Sequence, residues 1–280
     1  MKGILIAGLL AIATFAVGIW YSGANFLPFK QKRANVPAAE ITKTVEPPPL
    51  PELTAEEDAA SILQKAVAAH GGVEKNDKFQ TVRYKGQGYM YIENIKCSFS
   101  SDAVFQRPMK YKQSLRVVGT NQVDVTTIFN GEKIWINNGQ NIYESSDKRA
   151  LVGAAQLFQI DGNALGDYCK PPYELTNLGF VSIKGRGAVG IRIAKPEEND
   201  VIIYLDRRTH LIAKTKTRGY DIVFKTESDW EEYIISYKEI DGMKYAHRSD
   251  TYRNGQIFAN AEVTSLTPIA RLDDSVFAIP

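Results

Sequence analysis

The chain has 280 residues, a formal net charge of +2 and 44% hydrophobic residues. The near balance of charge excludes the broad basic field of a nucleic-acid binder, and the length suits one domain of roughly 200 residues or more plus a tail. Fourteen tyrosines and twelve phenylalanines favour half-buried β-structure.

The N-terminus, MKGILIAGLLAIATFAVGIWY, sets Lys2 before an apolar run from Ile4 to Tyr21. Its length lies between that of a signal-peptide core and a membrane span. Ser22-Gly23-Ala24 supplies the small residues of a cleavage site after Ala24. The long run and the interfacial pair Trp20-Tyr21 favour a retained anchor instead. No cysteine follows the run, which excludes a bacterial lipoprotein anchor, while Lys30, Lys32 and Arg33 beyond it argue against export of the body. Residues 1–24 are thus a signal peptide or an anchor. Residues 25–53, with Pro37 and VEPPPLPEL, are a proline-rich linker in extended geometry.

The body is expected over residues 54–280. Thr54 and Glu57 suggest a capping box, and Ala59, Ile62, Leu63, Ala66 and Val67 form one helical apolar face. His70-Gly71-Gly72 ends that helix, with His70 a last-turn residue facing the helix dipole and not a ligand. Strands follow in Lys78–Glu93, in two segments of Ser98–Val118 split near Arg107-Pro108, and in Val123–Phe129, EKIWIN and QNIYES. A second helix is expected in SSDKRALVGAAQLFQI, capped by Ser145 or Ser146, with Leu151, Ala155 and Phe158 on one face and Leu157 beside it. From Tyr173 onward the pattern returns to strands. Asp241-Gly242 and Asn254-Gly255 divide the last ones into a three-stranded meander, because type I′ turns need φ > 0 at both central positions. His247 falls mid-strand in that meander and reads as a half-buried side chain, not a catalyst.

Candidate chemistry does not survive inspection. GRGAVG, Gly185–Gly190, matches a dinucleotide fingerprint, but strand, turn and strand follow it, so no helix N-terminus can hold a pyrophosphate. No nucleophile motif accompanies His70, His210 or His247, and these three lack metal-ligand spacing. Cys97 and Cys169 form no C-x-x-C, which argues against zinc, and they read either as one disulfide closing a long loop or as two buried thiols. The acidic pairs Glu56-Glu57, Glu197-Glu198, Glu231-Glu232 and Asp273-Asp274 read as solvated charge at turns, helix starts or strand edges. DRRTHLIAKTKTR reads as strand, turn and strand with outward cations. No catalytic residue, metal or cofactor is expected. The fold expected is mainly β with few helices: a large curved antiparallel sheet, with helices across one face and room for an apolar ligand between.

Four stretches resemble the exported LolA-like group, which includes outer-membrane lipoprotein-sorting proteins. They are AVAAHGGVEKNDKFQTVRYKGQG (residues 66–88), VIIYLDRRTHLIAKTKT (201–217), YKEIDGMKYAHRSDTYRNG (237–255) and the closing LDDSVFAIP. Ala246 departs from the pattern where a proline is usual, as do the N-terminal apolar run and its linker. The resemblance implies a half-barrel whose concave face is covered by helices and which binds lipid or acyl chains without catalysis. It also favours an extracytoplasmic location, in the periplasm if the chain is bacterial. The ligand-facing candidates are then Leu63, Val67, Leu157 and Phe158 on helices and Tyr220, Ile222 and Phe224 on a strand. Two functions follow: a cell-envelope lipid or lipoprotein carrier, or an envelope structural or protein-interaction module whose core is filled by its own side chains.

Overall fold

The computed structural model describes residues 57–76, 80–92, 95–107, 109–119, 121–159, 165–221 and 226–280. The expected anchor and linker, and Thr54 of the expected capping box, lie outside them. Among the described residues no helix is long and apolar enough to cross a membrane.

All the described strands join one antiparallel sheet. The first half comprises β1 (Thr81–Ile92), β2 (Ile95–Gln106), β3 (Lys110–Val118), β4 (Gln122–Phe129), β5 (Ile134–Asn137) and β6 (Ile142–Ser145). The second comprises β7 (Glu174–Ile183), β8 (Arg186–Ala194), β9 (Val201–Asp206), β10 (Ile212–Asp221), β11 (Thr226–Ile240), β12 (Met243–Arg253) and β13 (Gln256–Pro268). The order is β6-β5-β4-β3-β2-β1-β13-β12-β11-β10-β9-β8-β7, so two meanders meet where the first strand pairs with the last. The sheet is open, with β6 and β7 at its edges.

Short turns set this register. Lys184-Gly185, Asp241-Gly242 and Asn254-Gly255 each have φ near +50° and then near +77°, the type I′ geometry that matches strand twist. Gly185 of the GRGAVG match is therefore a hairpin residue, and the remainder of the match is the start of β8. At the β9–β10 turn, Asp206 Oδ1 accepts from the Arg208 and Thr209 amides and from the Thr209 hydroxyl at 2.9–3.1 Å. This is the local chemistry behind the D-x-x-T spacing.

Helix α1 (Ala59–Ala69) buries the five residues expected: Ala59, Ile62, Leu63, Ala66 and Val67. Its cap differs from expectation. Asp58 is the N-cap, its Oδ1 accepting from the Ser61 amide at 2.9 Å. Glu57 falls one residue outside and instead accepts from Ser61 Oγ and Lys65 Nζ. His70 caps the other end, and a short helix α2 (Gly72–Asn76) follows the glycines. A side chain at Gly71 would lie 2.9 Å from the Gly242 carbonyl, and the Lys244 amide donates to the His70 carbonyl. The H-G-G and D-G segments thus pack on each other.

Helix α3 (Lys148–Gln159) is capped by Asp147, whose Oδ1 accepts from the Arg149 amide at 2.8 Å. Ser145 accepts from the Asp147 amide, so the expected serine supports the cap without being it. Ala150 and Ala154 are buried, Leu151 is at the margin, and Gly153 lies against β10: a Cβ there would be 3.3 Å from the Tyr220 nitrogen. Small residues let this helix approach the sheet closely.

The core has two parts on the inner face. One joins β1–β5 and β11–β13 to Ala150 and Ala154 of α3; the other joins α1 to β8, β9, β10 and Ile234. On the outer face, the closing segment forms a 3-10 turn, Asp274–Phe277, that sets Phe277 against Ile128 and Trp135. Gln106 holds the Leu272 amide at 2.7 Å. DRRTHLIAKTKTR forms the turn and strand expected, but Lys214 is a buried cation: it pairs with Glu231 at 2.9 Å between the rings of Tyr204 and Tyr233.

Gly88 sits where β1 and β13 approach tightly, since a Cβ there would lie 2.0 Å from the Asn260 carbonyl. Gly88→Ala is expected to destabilise the fold by about 3 kcal/mol, at the upper end of overpacking costs. Urea unfolding with an unchanged midpoint would show that the seam tolerates a side chain.

Candidate functional site

The inner face between the two apolar clusters is the candidate site. Successive strand residues point to opposite faces, and residues opposite each other in a ladder share one. On β11 this puts Ser228, Trp230, Glu232 and Ile234 on one side, and Trp230 and Ile234 belong to the two inner clusters. Glu232 therefore points inward, mid-strand, between them. The expectation of solvated charge for Glu231-Glu232 fails for its second member, because a strand sends one of two neighbours outward and the other inward. The alternation of D-W-E-E-Y-I carried that signal.

Glu232 is opposite Thr215 on β10 and Thr251 on β12. It is partly accessible, yet desolvation by the surrounding protein raises its carboxyl to about 7, opposed by a hydrogen bond from Ser249. Thr251 is 4% exposed and its Oγ1 has no hydrogen-bond partner among the described residues. Farther along the same face, Ser101 Oγ and both side-chain polar atoms of Gln113 are also buried without partners. Each such atom costs about 1–3 kcal/mol if nothing completes it. Four together would offset much of the roughly 5–15 kcal/mol that holds a domain folded. Water or a ligand is the remaining way to satisfy them.

The floor beneath these groups is low. Gly86, Gly88, Ala103, Ala259 and Ala261 line the inner side of β1, β2 and β13. Larger side chains stand around them, including Tyr84, Tyr111 and the edge-to-face pair Trp230–Phe258.

The residues expected to face a ligand are dispersed. Leu63 and Val67 pack in the α1 cluster, at 0% and 8% exposure. Tyr220 is half-buried near the end of β10, with the Arg149 guanidinium 4.6 Å above its ring. Leu157 and Phe158 lie on the last turn of α3, with side chains outside the described structure; Ile222 and Phe224 lie outside it altogether. Cys97 and Cys169 are free thiols in different apolar clusters, Cys97 on β2 and Cys169 against the α1 cluster. Cys97 is buried and Cys169 half-buried, and desolvation pushes both thiols upward.

A cleft of about 670 Å³ opens between the start of α1 and β7–β8, lined by Ile62, Lys65, Phe180, Val189, Arg207 and His210 among others. On the meander, His247 is 3.2 Å from Ser236 Oγ through Nδ1 and 3.2 Å from Glu262 through Nε2. The Ser236 contact joins β12 to β11 across a local irregularity in their ladder, whereas Nε2 lies near Glu262 without hydrogen-bond geometry. Desolvation is the largest cause lowering the His247 imidazole, which favours its neutral form. His70 is neutral for the same reason, lowered to about 4, with Nδ1 against the Ala66 carbonyl at 2.8 Å. Among the described residues no three His, Cys, Asp or Glu side chains converge on a metal position.

No protein-family model matches the sequence, and comparison with curated proteins gives no match. The structure is similar to that of a LolA superfamily protein from Nitrosomonas europaea, with a TM-score of 0.50 and 10% identity, over 80% of this chain and 99% of that one. A DUF1329 family protein from Desulfovibrio piger aligns with a TM-score of 0.47 and 12% identity, over 79% of this chain and 97% of that one. An outer membrane lipoprotein-sorting protein domain from Vibrio parahaemolyticus aligns with a TM-score of 0.47 and 10% identity, over 78% and 95%. The chain has a LolA-like fold.

Glu232 makes stability depend on pH with a definite sign. A raised carboxyl leaves the folded state holding more protons than the unfolded state between about pH 4.5 and 7. Its contribution to stability is present below that window and is lost as pH rises through it. Glu232→Gln is therefore expected to gain on the wild type from pH 4.5 to 7.5 in urea midpoints. A constant difference across the window would show that the carboxyl is ordinary. His70 acts oppositely, its contribution being lost as pH falls from about 6.5 to 4.

Proposed function

We propose that the chain is a non-catalytic carrier of lipid or lipoprotein in the cell envelope, holding its ligand against the inner face of the sheet. The observation that carries this reading is the set of buried, unpartnered polar atoms on Ser101, Gln113 and Thr251, set over a floor of glycine and alanine. A core filled by its own side chains has no use for either feature, since native packing closes voids and pairs polar groups. The LolA-like fold supports the reading because an open curved sheet with helices on its inner side can enclose an apolar body.

In this reading the ligand is an acyl chain or another lipid group. Leu157 and Phe158 on α3, with Tyr220, Ile222 and Phe224 at the end of β10 and beyond, face it. Leu63 and Val67 back it from α1. The domain occupies residues 54–280 on the extracytoplasmic side, in the periplasm if the chain is bacterial. It is tethered by residues 4–21, or released by cleavage near Ala24, and residues 25–53 act as the spacer. No cofactor is required.

Native mass spectrometry with organic extraction, on the full-length chain purified from a bacterial host, tests the proposal. A co-purifying lipid near unit occupancy is expected, and Phe158→Glu is expected to lose it while keeping a folded sheet. An apo mass unchanged by phospholipids and lipopeptides would favour the structural or protein-interaction module instead.

A further inference from the structure

We infer that Thr215, Glu232 and Thr251 form a recognition site for an uncharged hydroxyl or amide carried part-way along an otherwise apolar ligand; this rests on the carrier reading above. Strand pairing makes these three residues consecutive in one row across the inner face. The row continues through Ile203 and Ile191 on one side and through Ala259 and Met90 on the other. Neighbouring strands are about 4.8 Å apart, so the polar part is about 10 Å wide between two apolar lanes. Along β11, Trp230 belongs to the cluster that includes α3 and Ile234 to the cluster that includes α1, so the row crosses the interval between them.

The chemistry of the row selects a neutral group. Thr215 and Thr251 are 5% and 4% exposed, and the Thr251 hydroxyl has no partner among the described residues. A buried hydroxyl left alone is an opportunity for a ligand that both donates and accepts. Glu232 forms no ion pair with a cation among the described residues; the Arg253 guanidinium on the next strand donates to Ser228 and lies over Trp230. A ligand carboxylate here would place a second acid beside Glu232 in a desolvated setting, which is unfavourable. The protonated carboxyl that desolvation favours can itself donate to a hydroxyl or a carbonyl. An apolar chain lying across the strands would meet apolar, polar and apolar surface in turn, and only a mid-chain polar group completes that pattern.

The test uses the full-length chain with methyl ricinoleate and methyl oleate, which differ by one mid-chain hydroxyl, followed by tryptophan fluorescence because Trp230 shares the face. The hydroxylated ester is expected to bind roughly tenfold more tightly, the value of about one net hydrogen bond. Thr251→Val is expected to abolish that preference and leave methyl oleate unchanged. Since the hydroxyl has no partner to lose, the valine variant keeps the fold. Glu232→Gln is expected to retain the preference and Glu232→Leu to reduce it. Equal affinity for the two esters, a preference that survives Thr251→Val, or tighter binding of octadecylamine than of methyl ricinoleate would overturn the inference. Equal affinity leaves the carrier reading standing, whereas failure of both esters to bind removes both.

Discussion

The pairing of β1 with β13 is the contact on which the remaining architecture depends. Every other ladder joins strands that are neighbours in sequence and needs only a short connection. This one joins residues 82–90 to residues 259–268, and must be reached against the entropy of closing nearly the whole body. Its geometry is demanding. The ladder shifts by one residue between Lys85 and Gly86, and at Gly88 the two backbones leave no room for a side chain. The two meanders become one inner face only through this seam. The glycine and alanine positions of the candidate site lie on the seam strands themselves, where Gly88 lets the two backbones close and the Phe99 ring packs over it.

Around that seam, polar and apolar chemistry are divided by face. The outer face carries its charges in pairs and against rings: Lys214 lies between Tyr204 and Tyr233, Lys184 reaches Asp250, and the C-terminal turn covers Ile128 and Trp135. Those groups satisfy one another. The inner face does not achieve this. Among the described residues, side-chain atoms of Gln113, Ser101 and Thr251 are buried without hydrogen-bond partners, and Glu232 is desolvated without an ion-pair partner. Because desolvation costs more than exposed ion pairs return, the inner groups weigh more in any functional account than the numerous surface bridges.

Much of the fold was legible because its signals are local. Alternation marked the strands, Asp-Gly and Asn-Gly marked hairpins, and the apolar set Ala59, Ile62, Leu63, Ala66 and Val67 marked α1. Errors arose where a neighbour in space replaced a neighbour in sequence. Thr54 and Glu57 spell a capping box, yet Asp58 is the N-cap that accepts from the Ser61 amide. Helical spacing puts Leu151 on the buried face of α3, yet close approach to the Tyr220 backbone favours the line of Ala150, Gly153 and Ala154. Only part of the site was legible. Thr215, Glu232, Thr251, Ser101 and Gln113 were not singled out, since polar residues in strands ordinarily signal the solvent side.

The sequence by itself determined the class of structure: an antiparallel sheet with type I′ hairpins, two principal helices and a closing turn, each dictated by φ restrictions, periodicity and capping within a few residues. The tertiary structure alone decided which strands become neighbours across the seam and which face of each is enclosed. That choice turns Glu232 from one of a pair of surface acids into a desolvated group beside an unpartnered hydroxyl. Burial and the loss of hydrogen-bonding water are properties of what packs around a residue, and no stretch of sequence contains its own surroundings.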